Sequence, residues 1–240
     1  MPSLIVIAAA GLAVALGALV QSGAGLGLGL VGSPLVTLLD PGLMPGSMLV
    51  AGAVLPLVIL AREARHTDWP GVSWALAGRL AGTFAGVWVI ASLPPRVLGA
   101  IVGSVVLAVA AVTVAGRALP RKWWTLLTAG VISGASGTAT SIGGPPVALL
   151  YAGGSGPLVR ASLSAFLFAG NTLAVGALAL TGHLPGRDVA MGAIFLVFAA
   201  AGFAAAARLR RFLDGGRIRA AVLVLASASA IVLIARSLLG

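Results

Sequence analysis

Two apolar stretches of this 240-residue chain are interrupted by glycine and proline in one pattern, 112 residues apart. The first is Gln21-Ser-Gly-Ala-Gly-Leu-Gly-Leu-Gly-Leu-Val-Gly-Ser-Pro34, and the second is Ser133-Gly-Ala-Ser-Gly-Thr-Ala-Thr-Ser-Ile-Gly-Gly-Pro-Pro146. Without a gap, Gly25 falls on Gly137, Gly32 on Gly144 and Pro34 on Pro146. Proline removes a backbone donor and disfavours helix in the residue before it. Broken backbone inside a bilayer is tolerated only where protein or a water-filled cavity surrounds it. A matched pair of broken segments is the sequence pattern of a duplicated membrane carrier, with its substrate between the copies.

Composition removes the soluble alternatives. Hydrophobic residues make up 60% of the chain and charged residues 8%, against about a quarter charged in soluble domains. The net charge of +10 comes from fourteen arginines and Lys122 against five acids. These cations are scattered through short loops without forming a basic domain, which excludes nucleic acid as a partner and points to membrane lipid. With no cysteine, thiol catalysis, disulfides and thiolate metal sites are excluded. Met1-Pro-Ser-Leu-Ile-Val lacks the cationic start of a cleavable signal peptide, so the first segment is expected to remain in the mature protein.

A bilayer core needs about 20 apolar residues per helix, and on that measure eight segments are expected: 4–38, 44–61, 71–92, 96–115, 123–151, 160–181, 188–208 and 217–238. The fold class is thus an all-α integral membrane protein. Trp69-Pro-Gly71 matches Leu184-Pro-Gly186 at an offset of 115, so the halves, 1–118 and 119–240, each hold four helices. An even number of spans makes the repeats parallel, with helices 1 and 5 interrupted, the first at Gly32-Ser-Pro34 and the second at Gly143-Gly-Pro-Pro146. That parity fails if a glycine segment re-enters. Cations divide evenly between the two sides, and the early pair Arg62/Arg65 favours a cytoplasmic N-terminus.

Helical spacing puts Ser133, Ser136, Gly137, Thr140, Ser141 and Gly144 on one stripe, matched by Gln21, Ala24, Gly25, Leu28, Gly29 and Gly32. Small residues let helices approach closely, and that alone accounts for Gly78, Gly82 and Gly86 in the third segment. Coincidence with the breakers and the duplication favours a binding role for the first two stripes. Broken helices also expose backbone N–H groups that suit an anion. The candidate substrate residues are Gln21, Ser22, Gly25, Gly32, Ser33, Ser133, Ser136, Gly137, Thr140, Ser141, Gly143, Gly144, Arg160 and Asn171. Arg160 is expected at the entrance, and Asn171 must find a partner within its helix bundle. Arg79, inside an apolar segment, is either a snorkelling cation or a buried countercharge.

Enzyme readings fail on the residues. Gly27-Leu-Gly-Leu-Val-Gly32 matches a dinucleotide fingerprint, but no strand precedes it and no acid follows at the required distance. No Walker sequence drives primary transport. His66 and His183 have no second metal ligand nearby, so neither a metal nor a cofactor is expected. An ion gradient, H+ or Na+, is left as the energy source.

The two glycine segments, the Asp68-Trp-Pro-Gly and Gly182-His-Leu-Pro-Gly loops, and Arg160-Ala-Ser-Leu-Ser together resemble the sulfite exporter TauE/SafE family of bacterial membrane proteins. The resemblance spans essentially the whole chain. It departs where Gly27-Leu-Gly-Leu-Val-Gly replaces consecutive glycines and where Met48 stands as the counterpart of Arg160. It implies a multi-pass secondary transporter in a bacterial inner membrane, probable substrates being sulfite, a sulfonate or a related sulfur anion. An anion channel and a non-transporting membrane scaffold are the alternatives.

Overall fold

The computed structural model describes residues 2–24, 27–115, 120–213, 224, 227–235 and 237. Gly25, the boundary at 118/119 and most of segment 217–238 lie outside them. The described residues are helical throughout, as a chain in hydrocarbon must be to satisfy its backbone. They form α1 (Leu4–Ala24), a π turn (Leu28–Gly32) leading into α2 (Ser33–Leu39), α3 (Gly46–Glu63), α4 (Trp69–Ser92) and α5 (Pro95–Ala115). There follow α6 (Trp123–Thr140), α7 (Pro145–Tyr151), α8 (Gly156–Leu180) and α9 (Gly186–Leu213), then a helical stretch at 227–235. Five stretches among the described residues are long and apolar enough to cross a membrane: Leu4–Ser22, Gly46–His66, Trp69–Ser92, Gly156–Leu180 and Gly186–Ala206. Leu80, Phe84 and Trp88 form an exposed apolar row on α4, the surface expected to meet lipid.

Glycine sets the closest helix contacts. A Cβ on Gly78 or Gly82 would overlap the carbonyl oxygens of Leu127 or Val131, and one on Gly86 would lie 2.8 Å from that of Ala135. The register rises in fours on both helices, so α4 and α6 run parallel with their backbones touching. Gly11 against Phe198 and Gly202 against Ala15 make α1 and α9 parallel in the same way. Gly46 beside Asp188 and Gly192 beside Val50 add α3 to that direction.

Two expectations are corrected. The segments at 4–38 and 123–151 are hairpins rather than interrupted single spans. A Cβ on Gly17 would sit 2.9 Å from Leu28 Cα, and one on Gly32 would sit 3.9 Å from Val14 Cα. As residue numbers rise along α2, their α1 neighbours fall, so α2 folds back along α1. Likewise Val147, Leu150 and Tyr151 of α7 return against Leu126 and Ala129 of α6.

The parity that made the repeats parallel therefore does not hold. The equivalent helices α3 and α8 run antiparallel: Asn171 bonds the Gly52 carbonyl, while Arg160, eleven residues earlier, pairs with Glu63, eleven residues later.

The first break is also displaced. Gly32 is helical (φ −67°, ψ −48°), and the chain has already turned back by Leu28, whose Cα lies 2.9 Å from a Cβ on Gly17. The wider π turn carries the chain past Pro34, whose ring would clash with a carbonyl in a regular α-helix. The second break falls beside its prolines. Ser141 ends α6 in the left-handed region (φ 61°), its N–H bonded to the Gly137 carbonyl, as a helix-ending cap requires. Pro145 and Pro146 then open α7, where a missing N–H does little harm.

These directions sort the cations by end. Arg62, Arg65, Arg121, Lys122 and Arg160 lie where α3 ends and α4, α6 and α8 begin, and Arg208, Arg210 and Arg211 fall in the last turns of α9. Arg96 and Arg187 open α5 and α9 at the other end.

Candidate functional site

The two hairpin tips meet. Gly29 packs against the Ser141 carbonyl so closely that a Cβ there would overlap it. Between the tips is a cavity of about 30 Å³, walled by Gln21 and residues 27–30 on one side and 141–145 on the other. Met48 and Gly52 of α3 and Leu167 and Asn171 of α8 complete the wall. This is room for roughly two water molecules, too little for a polyatomic oxyanion unless the tips part.

Of the residues singled out by sequence, Gln21, Ser141, Gly143, Gly144 and Asn171 line the cavity. Gln21 holds the first tip: its Oε1 accepts from the Leu28 N–H at 3.0 Å. Ser141 ties the second tip to the loop before α3, its hydroxyl donating to the Pro45 carbonyl at 3.1 Å. Ser133 lies behind the wall, its hydroxyl bonded to the Gly143 carbonyl. Gly137 allows that approach, because a Cβ there would be 2.9 Å from Gly143 Cα.

The others stand off. Ser136 donates to the carbonyls of Ile132 and Ile142, and Thr140 to that of Ser136. Ser22 ends α1 outside the wall, while Gly32 packs on the Met48 methyl. Ser33 is fully buried with no hydrogen-bond partner for its hydroxyl. Gly144 has left the helical stripe because α6 ends at Thr140. Arg160 is not in the wall either: it grips Glu63 bidentately, Nη2 to Oε1 at 2.7 Å and Nε to Oε2 at 3.1 Å, fastening α8 to the end of α3.

Arg79 is the residue that the sequence reading left out of the site. It is completely buried on α4 and does not snorkel. Nη2 donates to Asn171 Oδ1 at 2.8 Å and Nη1 to Ser133 Oγ at 3.3 Å, and the guanidinium stacks 4.9 Å from the Phe166 ring. Its Nε has no partner and is pressed against Gly170. Among the described residues no carboxylate answers this charge: Asp40 pairs with Arg187, Glu63 with Arg160, and Asp68 with Arg121 and Tyr151, while Asp188 packs against Gly46 at the start of α3. A buried ion without a counter-ion costs several kcal/mol. Arg79 lies directly behind the cavity wall, since a Cβ on Gly143 would be 2.7 Å from Nη1. The available signal was a lone cation eleven residues into an apolar helix.

Paired broken hairpins facing one another across a small cavity, inside a bundle of apolar helices, are an arrangement of membrane carriers. The sulfite exporter TauE/SafE family model matches residues 9–233, and the chain belongs to that family of membrane transporters. No curated protein and no solved structure matches the chain.

Proposed function

We propose that the protein is a secondary exporter of a small anion of the sulfite or sulfonate class in the inner membrane of a bacterium, driven by an H+ or Na+ gradient. The observation that carries this is the meeting of the two hairpin tips over a cavity whose wall includes the Gln21 and Asn171 amides, with a buried cation behind it. A scaffold would have a dry apolar interface here, whereas Gln21 and Asn171 present amides.

In this reading the halves, 1–118 and 119–240, are inverted repeats: each is a hairpin followed by three crossing helices, the last of them including 227–235. The antiparallel course of α3 and α8 supports inversion, as does the correspondence of the α4–α6 contact with α9–α1. Lys and Arg concentrate on cytoplasmic loops, so the cation-rich end faces the cytoplasm and the N-terminus lies outside, against the orientation favoured by the sequence.

The experiment is flux of labelled sulfite, thiosulfate and short sulfonates in proteoliposomes, with and without pH and Na+ gradients. Saturable flux driven uphill supports a carrier, and passive, poorly saturating flux supports a channel. No protein-dependent movement of any of these anions overturns the reading.

A further inference from the structure

We propose that Arg79 is the charge that selects and holds the transported anion, and that Ser133 and Asn171 occupy its hydrogen-bonding positions only while the site is empty. The inference rests on the transporter reading above. Both present partners are neutral acceptors, a hydroxyl and an amide carbonyl, at 3.3 and 2.8 Å. They satisfy geometry and leave the positive charge uncompensated. An oxyanion offers what they lack: paired oxygens that match the guanidinium fork, together with the opposite charge.

A purely structural role does not explain the residue. α4 is already joined to α6 by backbone contact at Gly78, Gly82 and Gly86, and a neutral side chain could bridge Ser133 and Asn171. Ionisable groups at such depth are kept for function. The placement also supplies a mechanism. Asn171 is at once a cavity-wall residue, the Nη2 acceptor and a donor to the Gly52 carbonyl of α3 at 2.8 Å. Ser133 joins Arg79 to Gly143 of the second tip. An anion that parts the tips and displaces these two acceptors breaks the bonds from α4 to α8 and to α6 together, at the very side chains that also hold Gly52 of α3 and Gly143 of the second tip. Binding is coupled to movement through the same two side chains.

The test is thermal unfolding of purified full-length protein titrated with sodium sulfite, sulfate, thiosulfate and methanesulfonate, against sodium chloride at equal ionic strength. At least one of these oxyanions should raise the wild-type Tm saturably, beyond chloride. Arg79→Met should unfold no earlier than wild type when empty and lose the oxyanion-specific rise. Arg79→Lys, which keeps the charge without the fork, should retain the rise with a half-saturating concentration at least tenfold higher. If Arg79→Met binds as tightly as wild type, the inference is overturned while transport stands. If Arg79→Met does not fold, an unchanged half-saturation in Arg79→Lys overturns it. If wild type neither binds nor moves any of these anions, the transporter reading falls and the inference with it.

Discussion

Gly170 gives Arg79 its place. The guanidinium lies where a Cβ on that glycine would be, so Gly170→Ala must push Arg79 aside within a closed interior. Overpacking of this kind costs about 1–3 kcal/mol, and the variant should lose both stability and anion flux. Gly176, two turns along the same helix, has nothing within 4 Å of its virtual Cβ. Gly176→Ala should be neutral or stabilise by up to about 1 kcal/mol through helix propensity. Thermal unfolding of the pair, with flux measured alongside, separates crowding from a general intolerance of alanine; equal behaviour would refute the packing argument. The Glu63–Arg160 pair yields a second comparison. Both side chains are largely shielded, at 21% and 23% exposure, and an ion pair of this kind contributes about 0.5–1 kcal/mol. Arg160→Gln and Glu63→Gln should therefore destabilise by the same small amount, and the double variant by no more than either. An entrance role for Arg160 would instead show as weaker, less salt-sensitive anion uptake in Arg160→Gln alone. Sequence alone could not separate Arg79 from Arg160, because each is a cation near apolar residues; only the acid brought from 97 positions away, and its absence at Arg79, distinguishes them.

At the level of helices, the sequence located the second break correctly, misplaced the first, and misjudged what a breaker does to the path. Glycine and proline mark where a helix stops, and α6 does stop four residues before Pro145. Whether the chain then continues or doubles back depends on neighbours. α2 returns because Gly17 and Gly27 admit its backbone against α1, and α7 returns because Gly137 admits Gly143. Those are contacts between residues six to eleven apart, and periodicity along one helix does not encode them. The same limit explains the first break. Pro34 signals a stop, but the π turn at Leu28–Gly32 absorbs it, and the chain is already folded back on α1 before the proline. The α4 glycines were legible as packing, and the structure makes them the seam with α6. The all-helical membrane fold class could be read from residues. The direction of travel after each tip could not, and with it went the repeat symmetry.

For the molecule as a whole, doubling back changes which loops share a side, and an even distribution of cations becomes a lopsided one. A chain without cysteine allows a direct check in intact cells. A membrane-impermeant maleimide should label His183→Cys from outside and Ser155→Cys only after permeabilisation; the reverse pattern would invert the assignment. Both positions are exposed.

The two feet of the hairpins are held in matching ways at opposite ends. Asp40, after α2, takes Arg187 of α9 at 2.9 Å, and Tyr151, closing α7, donates to Asp68 before α4 at 3.1 Å. Under the inverted arrangement these are equivalent joints, one an ion pair alone and the other a phenol hydrogen bond beside the Arg121–Asp68 ion pair at 3.6 Å. Let each half adopt the shape of the other, and the result is the opposite-facing form, with no new contact type needed. Salt screens the ion pair at each foot, but only the second foot keeps a phenol hydrogen bond, so rising ionic strength should loosen the first hairpin more than the second, readable as a salt-dependent change in labelling of a cysteine placed at Leu30 in the cavity wall.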